Sequence, residues 1–336
     1  MKIHYLMGAK ISKIDYYLPE TILSNEALSV LFPDWTPEKI EEKIGVRERR
    51  IVKADETALD LALAVGEKVL RDIDKASIDF IILCTQSPDY LLPTSACILQ
   101  EKLGLGKNIG AFDFNLGCSG YVYGLGISKG LVYAGLAKKI LLITSETYSK
   151  YLNPGDKGNR TIFGDGATAS IIEESDRNKI FEFELGTDGS GFKNLIIPNG
   201  GSRNRPDPLA VPLFPDSAIT ANDLYMNGPE IFNFTIQRVP DLVKDVLVKN
   251  NLEIGEIDYF IFHQANKFML EYLRKKMKIH EDKFFNDLLY TGNTVSSTIP
   301  LAIVQSLNEG KIKNGSKILL AGFGVGLSWG ATIVEI

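Results

Sequence analysis

The chain has 336 residues, a formal net charge of -5 and 45% hydrophobic residues. That length exceeds one ordinary small domain, and the apolar fraction suits a large core and excludes disorder. The acidic balance argues against a dedicated nucleic-acid protein, and no apolar run approaches the ~20 residues of a membrane span.

Taken in chain order, the opening stretch MKIHYLMGAKISKIDYYLPE lacks the apolar core and small-residue cleavage site of a secretory signal. A cytoplasmic protein with reduced thiols is expected. Its three cysteines, Cys84, Cys97 and Cys118, include no C-x-x-C pair, so neither a disulfide framework nor a zinc site is expected. The stretch TALDLALAVGEKVLRDI (57–73) puts Ala58, Leu61, Val65 and Val69 on one face. It opens with Thr57 and Asp60 at capping-box spacing, which predicts a helix. FIILC (80–84), ILLIT (140–144), YFIF (259–262) and ILLA (318–321) are apolar without alternation and read as buried parallel strands. Strands alternating with helices give a layered α/β fold.

Two of these segments are echoed. IDFIILCTQS (78–87) resembles IDYFIFHQAN (257–266), 179 residues on, and KKILLITSE (138–146) resembles SKILLAGFG (316–324), 178 residues on. The shared offset suggests two duplicated halves, about 1–175 and 176–336; chance likeness between apolar strands would leave that offset unexplained. A pseudo-twofold axis then superposes equivalent strand ends. It brings the loops of His263 and Asn293 to the turn of Cys118, at the carboxyl ends of strands where open α/β sheets bind ligands. The segment 186–228 interrupts the rhythm with PNGGSRNRPDP and the prolines Pro198, Pro206, Pro208, Pro212 and Pro215. It reads as a long surface excursion, either a functional lid that shapes a pocket or an inert insertion.

FNLGCSGY (114–121) sets Cys118 between glycines at a strand-to-helix turn. A helix N-terminus stabilises a thiolate, while a buried inert thiol is the commoner role of a cytosolic cysteine. Cys84 and Cys97 fit the inert reading better. Of three histidines, His4 is near the terminus, His280 lies in the charged KKMKIHEDK and reads as solvated, and His263 opens the polar HQAN after a buried strand. Asn293 in TGNT reads, on its own, as a plain Gly-Asn turn. GFGVGLSWG (322–330) is a glycine-rich turn able to aim backbone N–H groups at an oxyanion. It is not G-x-G-x-x-G opening a helix, so Gly324, Gly326 and Gly330 are only a weak dinucleotide signal, and no Walker motif occurs.

Together, IGVRERRI (44–51), PTSACILQEKLG (93–104), GCSGY (117–121), IFGDGATA (162–169), HQAN (263–266), GNT (292–294) and GFGVGLSWG (322–330) resemble the thiolase-like condensing enzymes, nearest their β-ketoacyl-acyl-carrier-protein synthase III branch. The resemblance covers nearly the whole chain. It implies a five-layered αβαβα fold of two similar halves, a homodimer, and no tightly bound cofactor or metal. The implied substrates are acyl-coenzyme A or acyl carrier protein thioesters, with malonyl-acyl carrier protein as extender. Cys118 would take the acyl group covalently. His263 and Asn293 would donate hydrogen bonds to the malonyl thioester carbonyl and stabilise the enolate left by decarboxylation. The backbone N–H groups of Cys118 and Val325 would form the other oxyanion hole, and Asp165 would hold a turn. Lys39, Lys43, Lys157 and Asn266 would contact the pantetheine and phosphates of the carrier.

Departures concentrate at the carrier-binding positions. Many members hold adenine between a Trp and an Arg upstream of G-x-R-E-R; here Lys39 and Lys43 occupy that stretch and Trp35 lies too early to stack in the same way. Phe268 stands where an arginine is expected after HQAN, and Lys157, with Arg160 nearby, replaces the arginine before FGDGA. Arg and Lys are not interchangeable for stacking or bidentate phosphate contact, which leaves coenzyme A and carrier protein both open as donor. The basic run LRKKMK (273–278) suits an acidic carrier protein or a solvated helix face equally. Besides condensation, two readings stay open: an acyltransferase passing the acyl group from Cys118 to oxygen or nitrogen, and a non-catalytic partner subunit. Asn293 favours condensation, since simple transfer needs no enolate. A hydroxymethylglutaryl-type synthase would need a glutamate in CTQSPDYLLPTSAC (84–97), and a thiolase a second cysteine in the GFG region; neither is present.

Overall fold

The computed structural model describes residues 8–215 and 217–336; His4 lies outside the described residues. The chain builds two main sheets. In the first, the spatial order is Gly8–Tyr17, Gly166–Ser175, Lys139–Glu146, Phe80–Cys84, Gly110–Phe114. In the second it is Tyr259–Phe262, Lys317–Gly324, Ser328–Glu335, Glu184–Thr187. The second sheet repeats four of the first sheet's five strands in order and direction, all but Gly110–Phe114. Phe80–Cys84 and Tyr259–Phe262 each run parallel to the next strand, Lys139–Glu146 or Lys317–Gly324. Those pair antiparallel with Gly166–Ser175 and Ser328–Glu335, which pair antiparallel with Gly8–Tyr17 and Glu184–Thr187.

All four strands read from the sequence are present, but the sheets are mixed, not parallel. The second sheet shows why. Only residues 325–327 separate Lys317–Gly324 from Ser328–Glu335, and so short a link can only return the chain antiparallel.

Two helices, Gly120–Tyr133 and Thr298–Asn308, lie between the sheets and pack on both. Tyr121, Leu125, Ile299 and Ile303 there meet Ile82, Ile140, Ile261 and Leu320, all essentially inaccessible. The helices Ala58–Leu70 and Ser95–Lys102 cover the outer face of the first sheet. Gly228–Lys249 and Lys267–Lys276 cover that of the second. The result is five layers, helix–sheet–helix–sheet–helix. The expected helix at 57–73 forms over Ala58–Leu70 with Thr57 as N-cap, and the Thr57–Asp60 capping box closes in both directions.

The two central helices follow two of the turns singled out in the sequence. Cys118 precedes one and Asn293 precedes the other, so the layer that seals the core also puts both turns at one place. Gly120 permits the approach: a Cβ there would stand 2.3 Å from Cys84 Sγ.

Candidate active site

Cys118 is 7% exposed, in the turn after the strand Gly110–Phe114. Burial pushes its thiol up to about 12, and the Glu146 carboxyl adds to the rise. The backbone N–H groups of Val325 and of Cys118 itself point at the sulfur and oppose that shift. These are the two donors expected of an oxyanion hole. Of the two readings the sequence left open for Cys118, a thiolate held by the helix N-terminus and a buried thiol, burial favours the protonated thiol. Desolvation wins, and a base has to take the proton.

His263 continues the strand Tyr259–Phe262, its N–H bonded to Ala321 O at 2.8 Å. The side chain is 2% exposed, with the Phe323 ring edge-on at 5.8 Å. Burial keeps the imidazole neutral, with its pKa lowered to about 3. Its Nδ1 lies 2.8 Å from Thr298 Oγ1, and that hydroxyl donates to Val295 O at 3.0 Å. Since the hydroxyl hydrogen is spent there, Nδ1 carries the imidazole proton and donates to Thr298. Nε2 is left as an acceptor, 3.4 Å from Asn293 Nδ2.

Asn293 Oδ1 accepts from Val295 N at 2.9 Å, which turns Nδ2 toward His263. Its backbone pairs with the IFGDGA segment, through Asn293 N to Ile162 O at 2.9 Å and Gly164 N to Asn293 O at 3.0 Å. Asp165 holds that segment in place. It accepts from Val52 N at 2.8 Å, from Ser149 N at 2.9 Å and from the Ser149 hydroxyl. Burial raises its carboxyl to about 6.

Cys118, His263 and Asn293 line one cavity of about 130 Å³ with Phe163, Leu195, Met226, Ala265, Asn266, Phe323 and Gly324. A second cavity of about 290 Å³ adjoins it at Leu195, lined also by Gln86, Asn115, Tyr148, Tyr151, Leu224 and Val325. Both ends of the 186–228 excursion, at Leu195 and at Leu224 and Met226, pack into the cluster around Cys118. The middle is bare: Leu209 and Val211 are 86% and 74% exposed.

The three lysines expected at the carrier site also converge. Nζ of Lys39, Lys43 and Lys157 each lies 5.8 Å from the centroid of the Trp35 ring. Trp35, set aside on spacing, is thus the hub of this cluster. Asn266 lines the cavity shared by Cys118, His263 and Asn293, but its side chain also caps the helix Lys267–Lys276 by accepting from Met269 N at 2.9 Å. Phe268 is 64% exposed and stacks on Phe232 at 5.7 Å, with Tyr272 edge-on to the same ring. In the basic run, Arg274 and Lys275 both pair with Glu271. His280 is exposed, as read. Cys84 is buried and donates to Leu116 O at 3.0 Å. Cys97 departs from the inert buried reading: it is exposed, because Ala96 and Leu99 take the inward face of its helix. Sequence reasoning missed Thr298, Phe323 and Glu146. No local signal marks them, since each acts on a residue far away in the chain. Among the described residues, no group of His, Cys, Asp and Glu could hold a metal ion, and no helix is long and apolar enough to cross a membrane.

Comparison with known proteins gives one family. Residues 247–336 match the family model described as 3-oxoacyl-[acyl-carrier-protein (ACP)] synthase III C terminal, and residues 112–189 the model for 3-oxoacyl-[acyl-carrier-protein (ACP)] synthase III. The beta-ketoacyl-[acyl-carrier-protein] synthase III of Clostridium perfringens (strain ATCC 13124) is 36% identical over 334 residues, 98% of this chain and 100% of that protein. A 2.1 Å crystal structure of a 3-oxoacyl-(acyl-carrier-protein) synthase III superposes with a TM-score of 0.95 at 46% identity, covering 98% of this chain and 100% of that one. The Pseudomonas aeruginosa PAO1 enzyme gives 0.87 at 30% identity, covering 98% of each chain.

Proposed function

The chain belongs to the 3-oxoacyl-[acyl-carrier-protein] synthase III family, and from that premise we propose that Cys118, His263 and Asn293 are its catalytic residues. The enzyme is an acyl-transferring, carbon–carbon bond-forming condensing enzyme of thiolase-like fold. In the first half-reaction Cys118 attacks an acyl thioester. A new carbon–sulfur bond forms, the bond to the carrier sulfur breaks, and the carrier leaves as a thiol with the proton that Cys118 gave up. Nε2 of His263, unprotonated at rest, is the acceptor through which that proton passes. The N–H groups of Cys118 and Val325 stabilise the tetrahedral oxyanion.

In the second half-reaction malonyl-acyl carrier protein loses carbon dioxide. The electron pair left behind forms an enolate, which attacks the acyl carbonyl on Cys118. The 3-oxoacyl product leaves on the carrier, and Cys118 departs as a thiolate and takes up one proton, which comes from water by way of His263 Nε2 and is the proton that the decarboxylative condensation consumes overall. Asn293 Nδ2 donates to the enolate oxygen. His263 donates as well once Nε2 carries a proton, which the arriving malonyl carboxylate favours by its charge.

The observation that carries this reading is the shared cavity: Cys118, His263 and Asn293 line one space together with Phe323 and Gly324. Lys39, Lys43 and Lys157 around Trp35 are proposed to receive the phosphates and adenine of a coenzyme A donor, and Asn266 the pantetheine. The helix Lys267–Lys276, with its basic end and the exposed Phe268, is proposed to meet the acyl carrier protein. A homodimer, a cytoplasmic location, no tightly bound cofactor and a division near residue 175 complete the proposal. The repeat of strand order between the sheets supports that division. Intact-mass spectrometry tests the reaction, using a panel of acyl-coenzyme A and acyl-carrier donors beside Cys118→Ala. An adduct on the wild type alone, discharged by malonyl-carrier with release of carbon dioxide, is expected. Loading without malonyl-dependent discharge would replace condensation by simple acyl transfer.

A further inference from the structure

One buried ionisable group has no part in the reaction above. Glu146 closes the strand Lys139–Glu146 and is wholly inaccessible. Its Oε2 accepts from Gln86 N at 3.0 Å and from Ser87 Oγ at 3.2 Å. Its Oε1 accepts from Ser296 Oγ at 2.9 Å, across 150 residues of chain. Burial raises this carboxyl to about 8, so keeping it inside opposes folding wherever it ionises. Such a group persists where its contacts are needed.

Ser296 lies in the one-turn helix Val295–Ser297, directly after the catalytic turn. Val295 there has φ of 57°. The left-handed region is costly for a β-branched side chain, and such strain survives only when the surroundings impose it. The Val295 backbone, one peptide on each side of its Cα, serves both second-half donors. Its N–H fixes Asn293 Oδ1 at 2.9 Å, and its carbonyl accepts from Thr298 Oγ1, the partner of His263 Nδ1. A relaxed Val295 would turn both groups away together. The first half of the chain pins the next two residues: Glu146 holds Ser296, and Thr144 and Gly166 carbonyls hold the Ser297 hydroxyl at 3.2 and 3.1 Å.

We propose that Glu146 is a positioning residue for the condensation half-reaction: by holding Ser296 across the interface of the two sheets, it keeps the Val295 backbone in the strained form that aims Asn293 and His263. This rests on the catalytic assignment above. Ser296 lies on the Asn293 turn and Cys118 on the other, so loss of the Ser296 hydroxyl falls mainly on the second half-reaction, while the Glu146 carboxyl also acts on the Cys118 thiol by its charge.

The test is Ser296→Ala, which removes one hydroxyl and adds nothing, with Glu146→Gln as the conservative variant. Loading of Cys118 and its malonyl-dependent discharge are timed separately by intact mass, beside thermal melting. Ser296→Ala is expected to load within about twofold of the wild type and to discharge about ten- to a hundredfold more slowly, the scale of a displacement of up to about 1 Å. Glu146→Gln, whose amide can donate to Ser296 while its oxygen serves Gln86 and Ser87, is expected to discharge at nearly the wild-type rate. Equal slowing of both steps in Ser296→Ala, or no slowing of either, overturns the proposal. A wild type that never discharges would instead overturn the catalytic assignment. The tether is then read in a crystal structure of Ser296→Ala, where Val295 is expected to leave the left-handed region; Val295 unmoved overturns the proposal there too.

Discussion

Gly324→Ala tests how tightly the fold fixes Cys118, the proposed nucleophile. Gly324 ends the strand Lys317–Gly324 and pairs with Ser328. Its backbone is one that alanine adopts freely, so the substitution acts only through the added methyl group. That Cβ would stand 2.7 Å from Cys118 Sγ and 2.9 Å from Cys118 Cβ. Nonbonded carbon contacts are comfortable at ~3.5–4.0 Å, so the cysteine side chain has to retreat by about 1 Å. Its Cβ is rigidly attached to the turn and cannot swing aside as a flexible tip would. Overpacking of this size costs about 1–3 kcal/mol, and at roughly 2 °C per kcal/mol in a chain this long the melting point falls by about 2–6 °C. The chemical effect is larger, since a 1 Å misplacement of a reacting atom costs about a hundredfold. The assay is single-turnover acylation of Cys118 by intact mass at saturating donor. Gly130→Ala is the control, because nothing lies within 4 Å of its Cβ position; it is expected to load normally and melt slightly higher. Wild-type loading by Gly324→Ala would show that Cys118 has room to move, and the steric argument would fail.

Asn293→Ala is expected to load its acyl group at the wild-type rate but to discharge about 10²–10³-fold more slowly with malonyl-carrier, the usual worth of one oxyanion donor; equal rates in the discharge step would remove Asn293 from the mechanism. Trp35→Ala, which takes away the ring that Lys39, Lys43 and Lys157 surround, is expected to raise KM several-fold for coenzyme A donors and to spare carrier-protein donors; a uniform rise would mean the cluster is structural. Alkylation by iodoacetamide reads the resting proton: exposed Cys97 reacts before Cys118, whose rate should climb tenfold per pH unit from about pH 7 to 10, because burial pushes its thiol up to about 12. A plateau below pH 9 would mean that a thiolate is already formed at rest.

What could be read in advance depended on how far apart the interacting residues lie in the chain. Cys118, His263 and Asn293 each sit in a short motif whose turn is dictated locally, by glycines or by the end of an apolar strand. Their convergence followed from two echoes at one offset, because duplicated strands put equivalent loops at a common axis. Trp35 failed the same method. Spacing along the chain placed it outside the lysine cluster, yet Lys157, more than a hundred residues away, completes the ring around it. Cys97 was misjudged by its apolar neighbours: helical periodicity sends Ala96 and Leu99 inward and leaves the thiol out.

Glu146 marks the limit most clearly. In the sequence it is a charged residue at the end of an apolar run, where a solvated strand terminus is the natural reading. What makes it unusual is the other half of the molecule, which buries it and brings Ser296 to it. The same duplication that made the nucleophile and the donors predictable hides this residue, because a repeat shows which strand ends coincide and not which side chains cross between them. A carboxyl sealed at that crossing opposes folding once the unfolded chain can ionise it, and the penalty is complete above its raised pKa of about 8. By linkage, the folded state loses stability through this group as pH rises from the ordinary carboxyl value of 4.5 toward 8. Glu146→Gln removes that loss, so its melting point should exceed the wild type's increasingly across that interval. If the two melting curves instead kept a constant separation from pH 5 to 8, the carboxyl would already be ionised throughout, and burial would not be the dominant force on it.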